Sequence, residues 1–384
     1  MDKSRSASGF VRSCFALTCL LTAIVTMAAC SGSDAVSRPV ESATTTPATN
    51  SVKPVTRPSA VGVSEGGLVR LPSGALNREL DTARGAGATW IRIDIDWSII
   101  EPSRGTQDWA ATDRVVQAAR SRGLAVLGLL TYSPKWAQDP SVPSDTSHGR
   151  PATPELFGAF AARAAKHYSD EINTWEIWNE PNLGIFFEPR PDVGYYTALL
   201  RASYDALHAV SPTVTVVAGS LAPAVDHPNG KTIAPISFVD RMYAAGAKAS
   251  LDAVSVHPYS YPALPSDGRT TSYNTFQQIP ALHATMQRYG DGAKLLWLTE
   301  FGAPTATVRT GTGAVPIDGQ LQATIIADGL RAATQLGYIG PVFIYSIRDE
   351  RTGDPDILKN FGIVRSDFTP KASYQVIQRY AGNR

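Results

Sequence analysis

Two glutamates, each closing an apolar run, are the residues of this chain best placed to do chemistry. Thr174-Trp175-Glu176-Ile177 leads into Trp178-Asn179-Glu180-Pro181-Asn182, and Leu295-Leu296-Trp297-Leu298-Thr299 leads into Glu300. A carboxyl at the C-terminal end of a buried parallel strand stands on the rim where a (β/α)8 barrel places its reactive groups. Two such carboxyls facing one another suit glycosidic-bond cleavage with retention: one protonates the leaving oxygen, and the other, ~5–5.5 Å away, attacks the anomeric carbon. Asn179 and Glu180 are neighbours on one strand, and side chains alternate faces, so both reach one pocket only where the strand stops or bulges. Pro181 is expected to supply that stop, having no N–H to give and confining the residue before it to extended backbone.

The elements that must position these groups follow from the pattern of the rest of the chain. From about Ala60, short apolar runs alternate with amphipathic, Ala-rich helical stretches; eight runs begin near Val61, Thr89, Leu124, Asn173, Thr213, Leu251, Lys294 and Pro341. Alternation of this kind predicts βα units around a parallel sheet, and continuously apolar runs such as 124–130 predict strands covered on both faces. The predicted fold class is α/β, a single (β/α)8 TIM barrel over residues 59–384, with Glu180 ending the fourth strand and Glu300 the seventh. A doubly wound open sheet is the rival, and no Gly-rich dinucleotide fingerprint supports it. Loops over 133–154 and 261–275 are expected to shape the cleft.

Beyond the two acids, Arg92, Trp97, Glu101-Pro102, Gly105, Pro134, Trp136, the Trp-Asn-Glu-Pro run, His257, Tyr259, Thr299-Glu300-Phe301-Gly302, Phe361-Gly362 and Pro370-Lys371 form a pattern spread over most of residues 60–380. In these residues the chain resembles the retaining glycoside hydrolases of clan A, notably the families of β-xylosidases, cellulases and exopolysaccharide hydrolases. The resemblance implies that Glu180 is the acid/base, Glu300 the nucleophile, and Asn179 a donor to the sugar hydroxyl next to the reacting carbon. Arg92, with Tyr259 or His257, is expected to hold Glu300 ionised, while apolar and aromatic surroundings keep Glu180 protonated. Trp136, in a polar loop, is the expected stacking platform, whereas Trp175 and Trp178 are expected in the core. Glu176 is expected to pair with a buried base, Arg92 or Lys166, and Glu101 to anchor a turn. At the eighth strand the chain departs from that pattern, with Phe343-Ile344-Tyr345-Ser346 where many relatives place a Trp beneath the sugar, and Tyr345 is a candidate to bind substrate there. Arg348 is a candidate to grip substrate hydroxyls, with internal ion pairing as the alternative.

The N-terminal 1–29 reads as a lipoprotein signal peptide: Lys3, Arg5 and Arg12 precede an apolar run over 14–29 that is short for a membrane span, and Met27-Ala28-Ala29-Cys30 resembles a lipobox. Cys30 is therefore the expected lipidation site, giving an exported chain anchored on the outer face of the plasma membrane. Residues 30–58, rich in Ser, Thr and Pro, are expected to be a disordered tether. Lys+Arg 35 against Asp+Glu 34 argues against a nucleic-acid partner and for a neutral oligo- or polysaccharide. No cofactor and no metal are expected, since no histidine cluster has ligand spacing. Oligomeric state is not legible. A carbohydrate-binding lipoprotein without turnover, and a transglycosylase using the same covalent intermediate, stay open beside hydrolysis, as do galactan, xylan and glucan as substrates.

Overall fold

The computed structural model describes residues 60–382 other than 144, 272 and 312, so the signal and tether assignments, Cys30 included, lie outside the described residues. Eight parallel strands close into a barrel: β1 (Val61–Ser64), β2 (Trp90–Asp96), β3 (Ala125–Thr131), β4 (Thr174–Ile177), β5 (Thr215–Leu221), β6 (Ala253–Val256), β7 (Leu296–Phe301) and, after the hairpin β8 (Thr307–Thr310) and β9 (Gly313–Pro316), β10 (Ile339–Tyr345). Neighbours pair in sequence order, and β1 closes the ring against β10, with Val61 opposite Val342 and Ser64 opposite Tyr345. Helices such as Ser73–Gly85, Pro154–His167, Val193–Val210 and Gly319–Leu336 return the chain between strands. The (β/α)8 expectation holds. The small hairpin β8–β9 inside the β7-to-β10 connection is an addition the apolar pattern did not announce, because its strands are mostly exposed.

Side-chain alternation along the strands sorts the barrel interior into layers. The lower layer is an apolar plug of Trp90, Leu127, Val217, Ala253, Trp297 and Phe343. Trp90 meets Trp297 edge-on at 5.7 Å and Phe343 at 6.3 Å. So much aromatic volume fits only because β1 contributes no side chain at Gly62, where a Cβ would lie 2.6 Å from the Phe343 ring and 2.9 Å from the Trp90 Cβ. Two residues further along the same strand directions the interior turns polar: Arg92 on β2, Glu176 on β4 and Ser255 on β6 are buried at 3%, 0% and 0% exposure. The outer faces of the strands meet the helices through apolar contacts in one continuous core, in which Trp175 and Trp178 are buried as expected.

Gly62→Ala is expected to destabilise the fold by about 1–3 kcal/mol through overpacking of the plug. Urea unfolding followed by tryptophan fluorescence measures it, and an unchanged midpoint would refute the packing argument.

Candidate active site

Arg92 organises the upper interior. Its Nε donates to Glu176 Oε2 at 2.6 Å, its Nη1 to Glu300 Oε1 at 2.6 Å and Ser64 Oγ at 3.3 Å, and its Nη2 to Asn179 Oδ1 and Ser220 Oγ, each at 2.8 Å. Glu176 is therefore a structural partner of Arg92, and its second oxygen accepts from Ser255 Oγ at 2.6 Å. Because Asn179 spends its carbonyl oxygen on Arg92, its amide N–H groups are left to face a ligand.

Glu180 comes to this cluster by an unusual backbone path. β4 ends at Ile177, and Trp178 and Glu180 then take positive φ of 66° and 49°. The expectation that Pro181 holds Glu180 extended is thus corrected: the chain kinks through the left-handed region instead, at a cost of order 1–3 kcal/mol per residue that the surroundings must offset. Those surroundings are specific. The Glu180 N–H donates to the Ser220 carbonyl at 3.1 Å. Asn182 is fully buried and clamps the following loop, donating to the Ala222 and Ile233 carbonyls and accepting from the Ala222 N–H. Ser220 itself has φ 53° beside Gly219 at 114°, where the register of β5 against β6 shifts, and this bulge turns its hydroxyl into the barrel.

The two acids meet as the spacing required. One oxygen each of Glu180 and Glu300 and one ring nitrogen of His257 lie within 4.8 Å of one another. Tyr259 donates its hydroxyl to Glu300 Oε2 at 2.9 Å. His257 turns out to serve the other acid: its Nδ1 is 2.9 Å from Glu180 Oε1 and 3.6 Å from Glu300 Oε2, while Nε2 meets Ser220 Oγ at 3.0 Å. Burial pushes the Glu180 carboxyl up, opposed by its bond to His257 and reinforced by the charge of Glu300. Burial pushes Glu300 up as well, but the Arg92 charge and the Tyr259 hydroxyl pull it back. The pair titrates as a unit, and the guanidinium on Glu300 makes that residue the ionised member and Glu180 the proton holder. His257 is pushed down by burial, so it faces Glu180 as a neutral ring.

Imidazole and two carboxylates can ligate a divalent ion, a grouping that spacing along the chain did not suggest. The donor set fits a metal poorly. Both oxygens of Glu300 already accept, from Arg92 and Tyr259, and an added cation would stand against the fixed Arg92 charge.

The remaining candidates divide. Tyr345 is half-buried and lies against Phe361 at 5.3 Å, and Phe361 also meets Tyr259 and Tyr261, so these rings form an aromatic wall beside Glu300. Among the described residues no hydrogen bond or ring contact joins Trp136 to the Arg92 cluster, so its expected place as a stacking platform beside the acids is not what forms. Its indole donates to the Glu101 carbonyl at 2.9 Å, and its ring packs edge-on against buried Trp97 at 5.4 Å. Glu101 anchors the turn as expected, accepting from Gly105 N and the Trp97 indole. Arg348 is committed elsewhere: it bonds Glu79 and lies over the Phe368 ring, so the internal ion pair is what forms. Asp349 beside it pairs with Lys371 at 2.6 Å.

Three residues escaped the reading of the sequence. Ser220 bridges Arg92 and His257, Tyr132 follows β3, where burial and then the charges of Asp94, Asp96 and Glu180 push its phenol up, and Asp94 lies above Arg92 on the same face of β2. For the aspartates a signal was present, the alternation Arg92-Ile93-Asp94-Ile95-Asp96, which puts three charges on one inward face.

No family model matches the chain, and no curated protein matches it in sequence. Solved structures do. A family 39 glycoside hydrolase from the gut symbiont Bacteroides cellulosilyticus WH2 superposes with a TM-score of 0.67 and 26% identity, over 85% of this chain and 64% of that one. The further structural neighbours of this chain are glycoside hydrolases too, and at 17% identity they show the shared fold. A family 39 enzyme from Xanthomonas axonopodis pv. citri (TM-score 0.65, 17% identity, 85% of this chain and 68% of that one) shares the fold. So does a monomeric β-xylosidase from Caulobacter crescentus CB15 (TM-score 0.62, 17% identity, 85% and 68%). The chain spans about two thirds of the length of each.

Arg92→Met is expected to leave Glu176 as an unpaired buried charge and to cost about 3–5 kcal/mol, read by denaturant unfolding. At the β1 end of the same rim, Glu65 accepts the Ile347 N–H at 2.9 Å, and burial with the nearby Glu79 pushes its carboxyl up to about 8. A raised carboxyl contributes stability that is full below its unfolded value and is lost as pH rises through 8. Glu65→Gln should therefore gain in melting temperature over the wild type at pH 9 relative to pH 5. Equal differences at the two pH values would contradict the assignment.

Proposed function

We propose that this chain is a retaining β-glycoside hydrolase in which Glu180 is the general acid/base and Glu300 the nucleophile. The observation carrying the reading is the approach of the two carboxylates, one oxygen of each lying within 4.8 Å of the other, which supports double displacement, where the carboxyls stand ~5–5.5 Å apart, over inversion, where they stand ~6.5–9.5 Å apart. Glu300, ionised under Arg92 and Tyr259, attacks the anomeric carbon as Glu180 delivers its proton to the departing oxygen. The glycosyl-enzyme ester then forms, and Glu180, now a carboxylate, removes a proton from the water that cleaves it. His257, neutral and hydrogen-bonded to Ser220, accompanies that change through its ring N–H. Asn179 offers its amide to the hydroxyl beside the reacting carbon, and the Tyr345–Phe361–Tyr259 wall lies against the sugar.

The substrate is proposed to be a polysaccharide of the cell envelope or its surroundings, with the chain held to the outer face of the plasma membrane by lipid on Cys30. The basic residues, apolar run and Met27-Ala28-Ala29-Cys30 sequence support that placement.

Aryl xylosides, glucosides and galactofuranosides, with isolated wall polysaccharides, form the test panel. Glu180→Gln is expected to lower kcat/KM by about 10²–10⁴ on a poor leaving group and far less on an activated one; Glu300→Gln is expected to abolish turnover. Proton NMR should show the first product with the anomeric configuration of the substrate. Inverted product, or equal rates for wild type and both variants on every substrate, would overturn the reading. Cys30→Ala should move the protein from the detergent phase to the aqueous phase on phase separation, and an unchanged partition would refute the anchor.

A further inference from the structure

Asp94 is the anomaly of the site. Its inward neighbours on β2 are both occupied: Arg92 spends every N–H on the cluster, and Asp96 accepts from the backbone and hydroxyl of Ser98 at 2.8 and 2.6 Å. Asp94 accepts no hydrogen bond from any described residue, and burial, opposed by the Arg92 charge and reinforced by Asp96 and Glu300, pushes its carboxyl up to about 6. Asp94 is half-buried, so one side of the carboxylate is open to a ligand, and an acceptor that no side chain or backbone N–H engages is one that a bound hydroxyl can complete. Beside it is a cavity of ≈ 30 Å³ lined by Asp94, Asp96, Arg70, Ile99 and Thr112, room for the oxygen of a hydroxyl group but not for a residue's side chain.

We infer that Asp94 is the specificity-determining acceptor for a hydroxyl of the sugar held between Glu180 and Glu300. The inference rests on the glycosidase reading and deepens it. The geometry supplies the reason: Asp94 lies one layer above Arg92 on the same inward face and within electrostatic reach of Glu300, so a ring whose anomeric carbon meets Glu300 presents hydroxyls along the β2 wall. Each such hydroxyl is a donor, and a carboxylate is an acceptor with two oxygens to offer. Water serves equally well in the empty site, so the discrimination arises when sugar replaces it: a glycone lacking that hydroxyl leaves the carboxylate desolvated and unpaired. Arg70, a cation lining the same cavity, is exposed and gives Asp94 no hydrogen bond, so the acceptor stays open to a hydroxyl-bearing glycone.

The test uses the panel glycoside that the wild type turns over best, together with its monodeoxy analogues. Asp94→Asn is expected to lower kcat/KM on the parent by 10- to 100-fold, and on one deoxy analogue the variant and wild type should agree within about twofold, because the partner hydroxyl is gone. Losses of equal size on every analogue, or no loss on the parent, would overturn the assignment. Folding is checked by melting temperature: the amide removes an unpaired charge, so Asp94→Asn should melt no lower than the wild type, and a clear drop together with a uniform loss would mark a structural role instead. Binding is read separately by calorimetry in the Glu300→Gln background with xylose, glucose, galactose and their oligomers. There Asp94→Asn should weaken Kd at least tenfold for the sugar that binds, whether or not the wild type hydrolyses anything. Unchanged Kd, or no binding of any of these sugars, would overturn it; binding that depends on Asp94 without turnover would instead overturn only the hydrolytic reading.

Discussion

A single guanidinium at the barrel centre holds the upper interior together. The five N–H groups of Arg92 reach five side chains contributed by four other strands or strand ends, namely Ser64 on β1, Glu176 and Asn179 at β4, Ser220 on β5 and Glu300 on β7. Burying a charge this deeply is unfavourable unless it is paired and saturated with hydrogen bonds, and here both conditions are met. Planarity gives the contact its value beyond charge. The guanidinium has a fixed fork, so groups bonded to its edges are placed relative to one another as well as to the cation. Glu300 and Asn179, on strands far apart in the chain, are thereby set at one level of the cavity.

Around that hub the backbone bends to bring in what a regular strand could not. Regular alternation would place Asn179 and Glu180 on opposite faces; positive φ at Trp178 and Glu180 delivers both into the cavity. The kink depends on β5, whose own bulge at Gly219 and Ser220 provides the carbonyl that receives the Glu180 N–H and the hydroxyl that joins Arg92 to His257. The apolar plug of Trp90, Trp297 and Phe343 closes the cavity from below, so the charged layer sits on a dry floor where its interactions are little screened. Two chemically identical carboxyls are then made unlike by their partners, a cation and a phenol for Glu300 and a neutral imidazole for Glu180.

Much of this was legible before any coordinates. The barrel followed from eight apolar runs, and the convergence of Glu180 with Glu300 from their places at the ends of β4 and β7, because a parallel barrel sends all strand ends to one rim. What was not legible depended on contacts across strands. Pro181 argued locally for an extended Glu180, but the buried Asn182 clamp and the β5 carbonyl impose a kink. His257 was correctly placed at the rim, yet which acid it serves is a matter of ångströms that spacing does not encode. Arg348 looked available to substrate because a charged triplet at a rim gives no hint of Glu79 waiting on the helix Ser73–Gly85. Asp94 was passed over, although it stands two residues beyond Arg92 on the same inward face, because only the structure shows its neighbours fully engaged and Asp94 not.

The most direct measurement is mass spectrometry of the protein after reaction with a 2-deoxy-2-fluoro glycoside bearing a dinitrophenolate leaving group, which forms the glycosyl-enzyme ester faster than water removes it. An adduct of one sugar per chain on the peptide carrying Glu300, absent in Glu300→Gln, is the expected result. An adduct on another residue, or steady turnover of the unfluorinated glycoside with no adduct ever trapped, would contradict nucleophilic attack by the carboxylate that Arg92 holds.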